Sequence, residues 1–177
     1  DRLDDITRQF PRALDLGCRT GIMAPHLTGR GGIETLFHCD LSEAMARKAP
    51  APQLVADEEY LPIRPGSLDL VVSCLSLHAV NDLPGALLQV RQALKPDGLF
   101  LAALFGGATL AELRNALLTG EVEVEGGASP RIAPFVDIRD AGDLLGRAGF
   151  ALPVVDTETL TVSYESPLKL MHDLRGM

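Results

Sequence analysis

Tryptophan is absent from this 177-residue chain, and lysine and cysteine occur only three times each. Cys18, Cys39 and Cys74 stand too far apart in sequence for a Cys-x-x-Cys metal or redox pair. Three thiols make no disulfide framework either, so the expectation is a reducing compartment and no metal site. No run of eighteen apolar residues occurs, which excludes a hydrophobic stretch long enough for a transmembrane helix. Positive charge is also short. Sixteen Lys and Arg face 24 Asp and Glu, for a formal net charge of −8 and a pI of about 4.9. With no dense basic run, a nucleic-acid backbone is not the expected partner. Thirteen of the sixteen cations are arginine, a composition expected of a GC-rich bacterial genome. A cytoplasmic bacterial chain without a secretory leader is therefore expected.

Apolar residues make up 46% and charged residues 23%, as expected for a globular chain, and the length fits one domain over residues 1–177. The first ten residues carry Leu3, Ile6 and Phe10 at helical spacing, which predicts a short amphipathic helix. Apolar runs at Arg12–Leu16, Ile33–Cys39, Gln53–Ala56, Leu68–Cys74 and Leu99–Leu104 read as strands. Helices are expected between them at Gly21–Leu27, from Ser42 to about Lys48, and at Leu83–Leu94 with Asp82 as its cap. Lys95-Pro96-Asp97-Gly98 reads as a turn. Strands alternating with helices across short turns predict an α/β fold with a doubly wound parallel sheet. Beyond strand five the pattern predicts a helix at Thr109–Leu118, then a long loop from Glu121 to Phe135. A helix capped by Asp137 or Asp140 and ending near Gly149 should follow. Phe150–Val155 and Leu160–Tyr164 read as an antiparallel strand pair, and a last helix begins near Ser166.

The chemistry concentrates at the ends of the first strands. Ala13-Leu14-Asp15-Leu16-Gly17-Cys18-Arg19-Thr20-Gly21 is a strand running into a glycine turn, and the second strand ends on Asp40. Glycines let a backbone approach a ligand closely, and an acid at the second strand's end accepts hydrogen bonds from ribose hydroxyls. The spacing Gly17-x-x-x-Gly21 is not G-x-G-x-x-G, the pattern that seats a pyrophosphate on a helix N-terminus. A nucleoside ligand without phosphates fits better, which favours S-adenosylmethionine over NAD.

Asp15-Leu16-Gly17-Cys18-x-Thr20-Gly21 resembles motif I of class I S-adenosylmethionine-dependent methyltransferases, and Asp40 matches their acid after strand two. Ala56-Asp57-Glu58-Glu59-Tyr60-Leu61-Pro62 resembles their acidic segment after strand three, and Leu68–Ser73 their motif IV. The resemblance implies a Rossmann-like, mostly parallel seven-stranded sheet in the order 3-2-1-4-5-7-6, with its last hairpin antiparallel. It implies S-adenosylmethionine as cofactor. Asp40 would hold the ribose, Asp57 and the backbone of Glu58 the adenine, and the Gly17–Gly21 loop with Ser73 the methionine end. Asp15, Cys18 and Leu41 belong to the same implied set.

Leu75-Ser76-Leu77-His78, Val80-Asn81-Asp82-Leu83-Pro84, Leu104-Phe105-Gly106-Gly107 and Glu125-Gly126-Gly127-x-Ser129-Pro130 resemble a narrower group. It contains the complex I assembly factor with arginine hydroxylase activity, and bacterial relatives similar to the malonyl-carrier-protein methyltransferase of biotin synthesis. The chain departs from that group at Ala79, where tryptophan is usual. The group's N-terminal segment, which covers the cofactor, is expected to be missing. Methyl transfer to a small-molecule, carrier-bound or protein acceptor is the implied function. Arginine hydroxylation and a non-catalytic assembly role for a respiratory complex are the alternatives. His78, just past strand four, is the candidate general base or substrate-positioning residue; the alternative is a half-buried histidine bonded to backbone. Tyr60, Arg114 and Arg131 are lesser pocket candidates, the arginines as clamps for a substrate carboxylate.

Overall fold

The computed structural model describes residues 3–132 and 134–176. Five strands form one parallel sheet in the order β3-β2-β1-β4-β5. They are β1 (Arg12–Leu16), β2 (Thr35–Asp40), β3 (Gln53–Val55), β4 (Leu68–Cys74) and β5 (Leu94–Ala103). Among the described residues six helices accompany them: α1 (Ala24–Leu27), α2 (Glu43–Ala46), α3 (Leu83–Ala93), α4 (Ala111–Glu125), α5 (Ile138–Arg147) and α6 (Pro167–Gly176). A single 3₁₀ turn, Leu77–Ala79, follows β4.

The central strands β1 and β4 are buried on both faces, as a parallel sheet between helices requires. Alternation along them builds two cores. Leu14, Leu16 and Val71 pack on one face with Ala86, Val90 and Ala93 of α3. Ala13, Leu70 and Val72 pack on the other with Leu3, Phe10 and Leu27. The Asp82 carboxylate caps α3 by accepting from Gly85 N at 2.9 Å, and Asp137 caps α5 by accepting from Arg139 N at 3.0 Å.

Four expectations change. The first ten residues form no helix where they are described; Asp1 and Arg2 lie outside the described residues. Pro11 disfavours helical backbone at the residue before it. Leu3 and Phe10 are nonetheless buried, so the apolar face is real although the helix is not. Residues 95–98 are not a separate turn but part of β5, with Asp97 at φ +60°. The expected loop from Glu121 is helical through Glu125, because α4 continues past an internal glycine, Gly120, before Gly126 ends it in the left-handed conformation. Ala133, in the rest of that loop, lies outside the described residues. Finally, 150–164 contains no strand. Its apolar positions alternate, but Val154 and Leu160 are 78% and 80% exposed and, among the described residues, no strand lies beside them to complete a ladder. A strand pattern without a pairing partner leaves its backbone to water. The described sheet therefore has five strands rather than seven.

Candidate functional site

The carboxyl edge of the sheet gathers the ends of β1, β2, β3 and β4. In register, Leu16 lies beside Cys39 on one side and Ser73 on the other, and Asp40 lies beside Val55. The glycine loop after β1 bends over the end of β2, where the Cys39 carbonyl accepts from both Gly17 N and Cys18 N at 2.9 Å. Gly17 has φ +70°, and a Cβ there would stand 2.1 Å from the Ser76 side chain. Gly21 has φ +79°, and a Cβ there would meet Pro50 at 2.5 Å. Both positions therefore require glycine for conformation and for space.

Asp40 receives the loop. Its Oδ2 accepts from Arg19 N at 2.7 Å and its Oδ1 from Ser42 N at 2.8 Å. Each oxygen keeps a further lone pair. Asp15 lies on β1 under the same loop, 1% exposed, and neither carboxyl oxygen has a partner. Burial, and secondarily the Asp40 charge, push its pKa up to about 6. Ser73 is equally buried and its hydroxyl is unpartnered. Leu41 is exposed beside Asp40. Burial, with the charges of Asp15 and Asp40 adding to it, raises the Cys18 thiol to about 12, and burial raises Cys39 equally. Both thiols are therefore protonated at neutral pH. Among the described residues no group of three or more His, Cys, Asp or Glu side chains is placed to hold a metal. No described helix is long and apolar enough to cross a membrane.

The acidic segment after β3 divides its work. Asp57 Oδ1 accepts from Glu59 N at 2.9 Å, closing a turn. Glu58 turns inward and accepts from Ser76 Oγ at 2.7 Å. Glu59 accepts from Asn81 N and Asp82 N, so it fixes the segment that follows the 3₁₀ turn.

His78 stands on that turn with its Nδ1 buried and unpartnered. Burial, then the Arg19 charge, lower its pKa, so the imidazole is neutral near pH 7. Its ring lies 4.6 Å from that of Phe105 and 5.9 Å from that of Phe135. A cavity of about 250 Å³ opens beside it, lined by Leu77, His78, Val80, Leu83, Pro134, Phe135 and Val136.

Three lesser candidates stand apart from this cavity. Tyr60 is 74% exposed. Arg114 is directed at the Gly107 and Thr109 carbonyls, and Arg131 at Glu121, so neither arginine holds a free clamp. Sequence reasoning missed Ser76, Phe105, Phe135 and Glu121 as parts of the site. Ser76 and Phe105 stood in motifs and Glu121 and Phe135 only at the ends of an expected loop, and only the fold shows that residues so distant along the chain meet.

The chain matches a family model described as methyltransferase domain over residues 14–102. It is 49% identical over 182 residues to the mitochondrial arginine-hydroxylase NDUFAF5 of Mus musculus, covering 100% of this chain and 53% of that protein. It is 36% identical over 192 residues to a malonyl-[acyl-carrier protein] O-methyltransferase of Laribacter hongkongensis, covering 99% of this chain and 63% of that protein. The chain thus spans little more than half the length of the curated relatives it matches. Among solved structures, an S-adenosylmethionine-dependent methyltransferase from Mesorhizobium loti superposes with a TM-score of 0.63 at 25% identity, over 81% of this chain and 75% of that one. The chain belongs to the family of S-adenosylmethionine-dependent methyltransferase domains.

Proposed function

We propose that this chain binds S-adenosylmethionine at the carboxyl edge of β1, β2 and β4 and transfers its methyl group to a bound acceptor. The observation that carries this is the pairing of the glycine loop with Asp40, above a buried Asp15 carboxyl that has no partner of its own. An orphaned buried carboxyl is costly unless a ligand completes it, and the cofactor's α-ammonium is the matching group. The remaining lone pairs of Asp40 suit two ribose hydroxyls. Asp57 and the Glu58 backbone are the adenine partners, Leu41 flanks the ribose, and the backbone of Gly17, Cys18 and Gly21 with Ser73 takes the methionine end.

When bound, the cofactor supplies a methyl carbon on a positively charged sulfur, a leaving group already activated. The protein's task is alignment in a dry pocket, and alignment alone contributes about 7–11 kcal/mol in favourable cases. A carboxylate acceptor requires no base. With an amine or hydroxyl acceptor, neutral His78 is the candidate base. Candidate acceptors are a small molecule, a carrier-bound acyl group or a protein subunit.

Arginine hydroxylation is the second reading, supported by 49% identity to the mouse arginine-hydroxylase against 36% to the malonyl-carrier-protein methyltransferase. Purified protein is incubated in air with a reductant, cofactor and either carrier protein or respiratory-complex subunits, and products are read by mass spectrometry. A methylated product supports transfer, and a product heavier by one oxygen supports hydroxylation. Asp40→Ala is expected to abolish thermal stabilisation by S-adenosylhomocysteine; unchanged stabilisation would refute the cofactor site.

A further inference from the structure

The cavity beside His78 is walled on one side by the strap between α4 and α5, whose described residues, 126–132 and 134–137, are tied down at two points. At the near end, Glu121 of α4 accepts from Ser129 N at 3.0 Å, from Ser129 Oγ at 2.7 Å and from Arg131 Nε at 3.1 Å, with Arg131 Nη2 closing the ion pair. At the far end, the Val136 carbonyl accepts from Gly107 N at 3.1 Å, and Val136 bridges to Gly106 in parallel. Arg114 of α4 reaches the Gly107 and Thr109 carbonyls, so the loop that holds the far tie is itself held. At the far tie and just before it, Pro134, Phe135 and Val136 form one wall of the cavity. The opposite wall follows β4, on the same short stretch whose Ser76 packs against Gly17 of the cofactor loop.

Six of the seven lining residues are purely hydrocarbon, and the seventh presents a neutral imidazole with a buried, unpartnered Nδ1. No cationic side chain lines the cavity among the described residues. A carboxylate or phosphate entering it would lose its hydration with no charge to replace it. An uncharged apolar group would fill the space without that loss.

We propose that this cavity is a subsite for an uncharged apolar end of the acceptor, and that Glu121 is a positioning residue that holds the strap so that Phe135 rests against His78. The proposal deepens the methyl-transfer reading by naming the chemistry of the acceptor, and it rests on that reading only for the name acceptor.

Benzyl alcohol and sodium benzoate, similar in shape and different in charge, serve as probes. Each is titrated at millimolar concentration while the imidazole proton resonances of the four histidines are followed; His78→Gln identifies the relevant signal. Benzyl alcohol is expected to shift the His78 resonance saturably and benzoate to leave it unmoved. Phe135→Ala should remove the shift, and Phe135→Leu, which keeps most of the apolar volume, should weaken it. Glu121→Gln should weaken benzyl alcohol binding at least about fivefold, while S-adenosylhomocysteine still raises the melting temperature as in the unaltered protein. Equal binding of benzoate, or an unchanged shift in both Phe135 variants, overturns the subsite. Unchanged affinity in Glu121→Gln overturns the positioning role. Loss of cofactor stabilisation in the unaltered protein with benzyl alcohol still bound would refute the cofactor reading and leave the subsite standing.

Discussion

Asp15 is the residue at which stability and the proposed cofactor binding oppose each other. Its pKa is pushed up to about 6 from an ordinary 3.8, chiefly by burial. Between about pH 4 and pH 6 the unfolded chain has released this proton while the folded chain still holds it. The folded state then binds more protons, so stability falls as pH rises through that window and the cost is complete above it. A shift of about two units corresponds to roughly 3 kcal/mol at most. Asp15→Asn is therefore expected to melt higher than the unaltered protein at pH 8 and nearly equal to it at pH 4, while losing affinity for the cofactor's cationic end. Melting curves at the two pH values with and without S-adenosylhomocysteine check both halves; a variant less stable at pH 8 contradicts the reading. At this scale the sequence was informative because Asp15, Gly17 and Asp40 are close along the chain or sit at strand ends. It was silent about Ser76, which approaches Gly17 only because β4 lies beside β1.

Among the connecting elements, the loop after β1 and the strap before α5 are held by opposite means. The loop depends on glycine. Gly17→Ala meets both a left-handed backbone and the Ser76 side chain, so a loss of about 2 kcal/mol or more is expected. Gly17→Ala combined with Ser76→Gly should recover part of that loss in denaturant titrations, the collision but not the backbone cost. No recovery would mean that Ser76 moves aside freely. The strap depends on one carboxylate. Hydrogen bonds from the Ser129 backbone first, then from the Arg131 and Ser129 side chains, with the Arg131 charge beside them, hold the Glu121 pKa down to about 2. The clamp's contribution is present above the ordinary carboxylate range and is lost as pH falls from about 4.5 toward 2. Hydrogen exchange of peptides covering 126–137 should stay slow relative to an unstructured peptide at pH 4, and Glu121→Gln should speed it at neutral pH. Elements are also where sequence pattern misleads. The spacing of Leu3, Ile6 and Phe10 identified a buried face correctly and its helix wrongly, and the alternation in 150–164 had no strand to pair with. Periodicity reports which side chains seek the core, whereas a ladder or a helix needs backbone partners that lie elsewhere.

Across the whole molecule, burial is steeply graded. β1 and β4 supply most of the fully buried side chains, and α3 closes one face over them. α4 and α5 contain no buried residue, and most of 150–164 is exposed. Local opening is cheapest where few apolar contacts must break. Native-state hydrogen exchange should therefore give three tiers. Amides of β1 and β4 would exchange only through global unfolding. Those of β2, β5 and α3 would be intermediate. Those of α4, 150–164 and α6 would exchange by local opening, with a denaturant dependence near zero. The grading matters for function because the two halves of the site sit on different tiers. Of the proposed cofactor residues, Asp15, Gly17 and Ser73 stand on or next to the rigid strands β1 and β4, and Asp40 ends the adjacent β2, as alignment of a reacting carbon requires. Phe135 and Val136 hang from α4 and α5, the elements that open most easily. S-adenosylhomocysteine should then slow exchange mainly at the edge of β1 and β2, and benzyl alcohol mainly in the strap. If either ligand protected both tiers equally, the site would be one cooperative unit, and the division of labour between a fixed cofactor edge and an adjustable acceptor wall would be wrong.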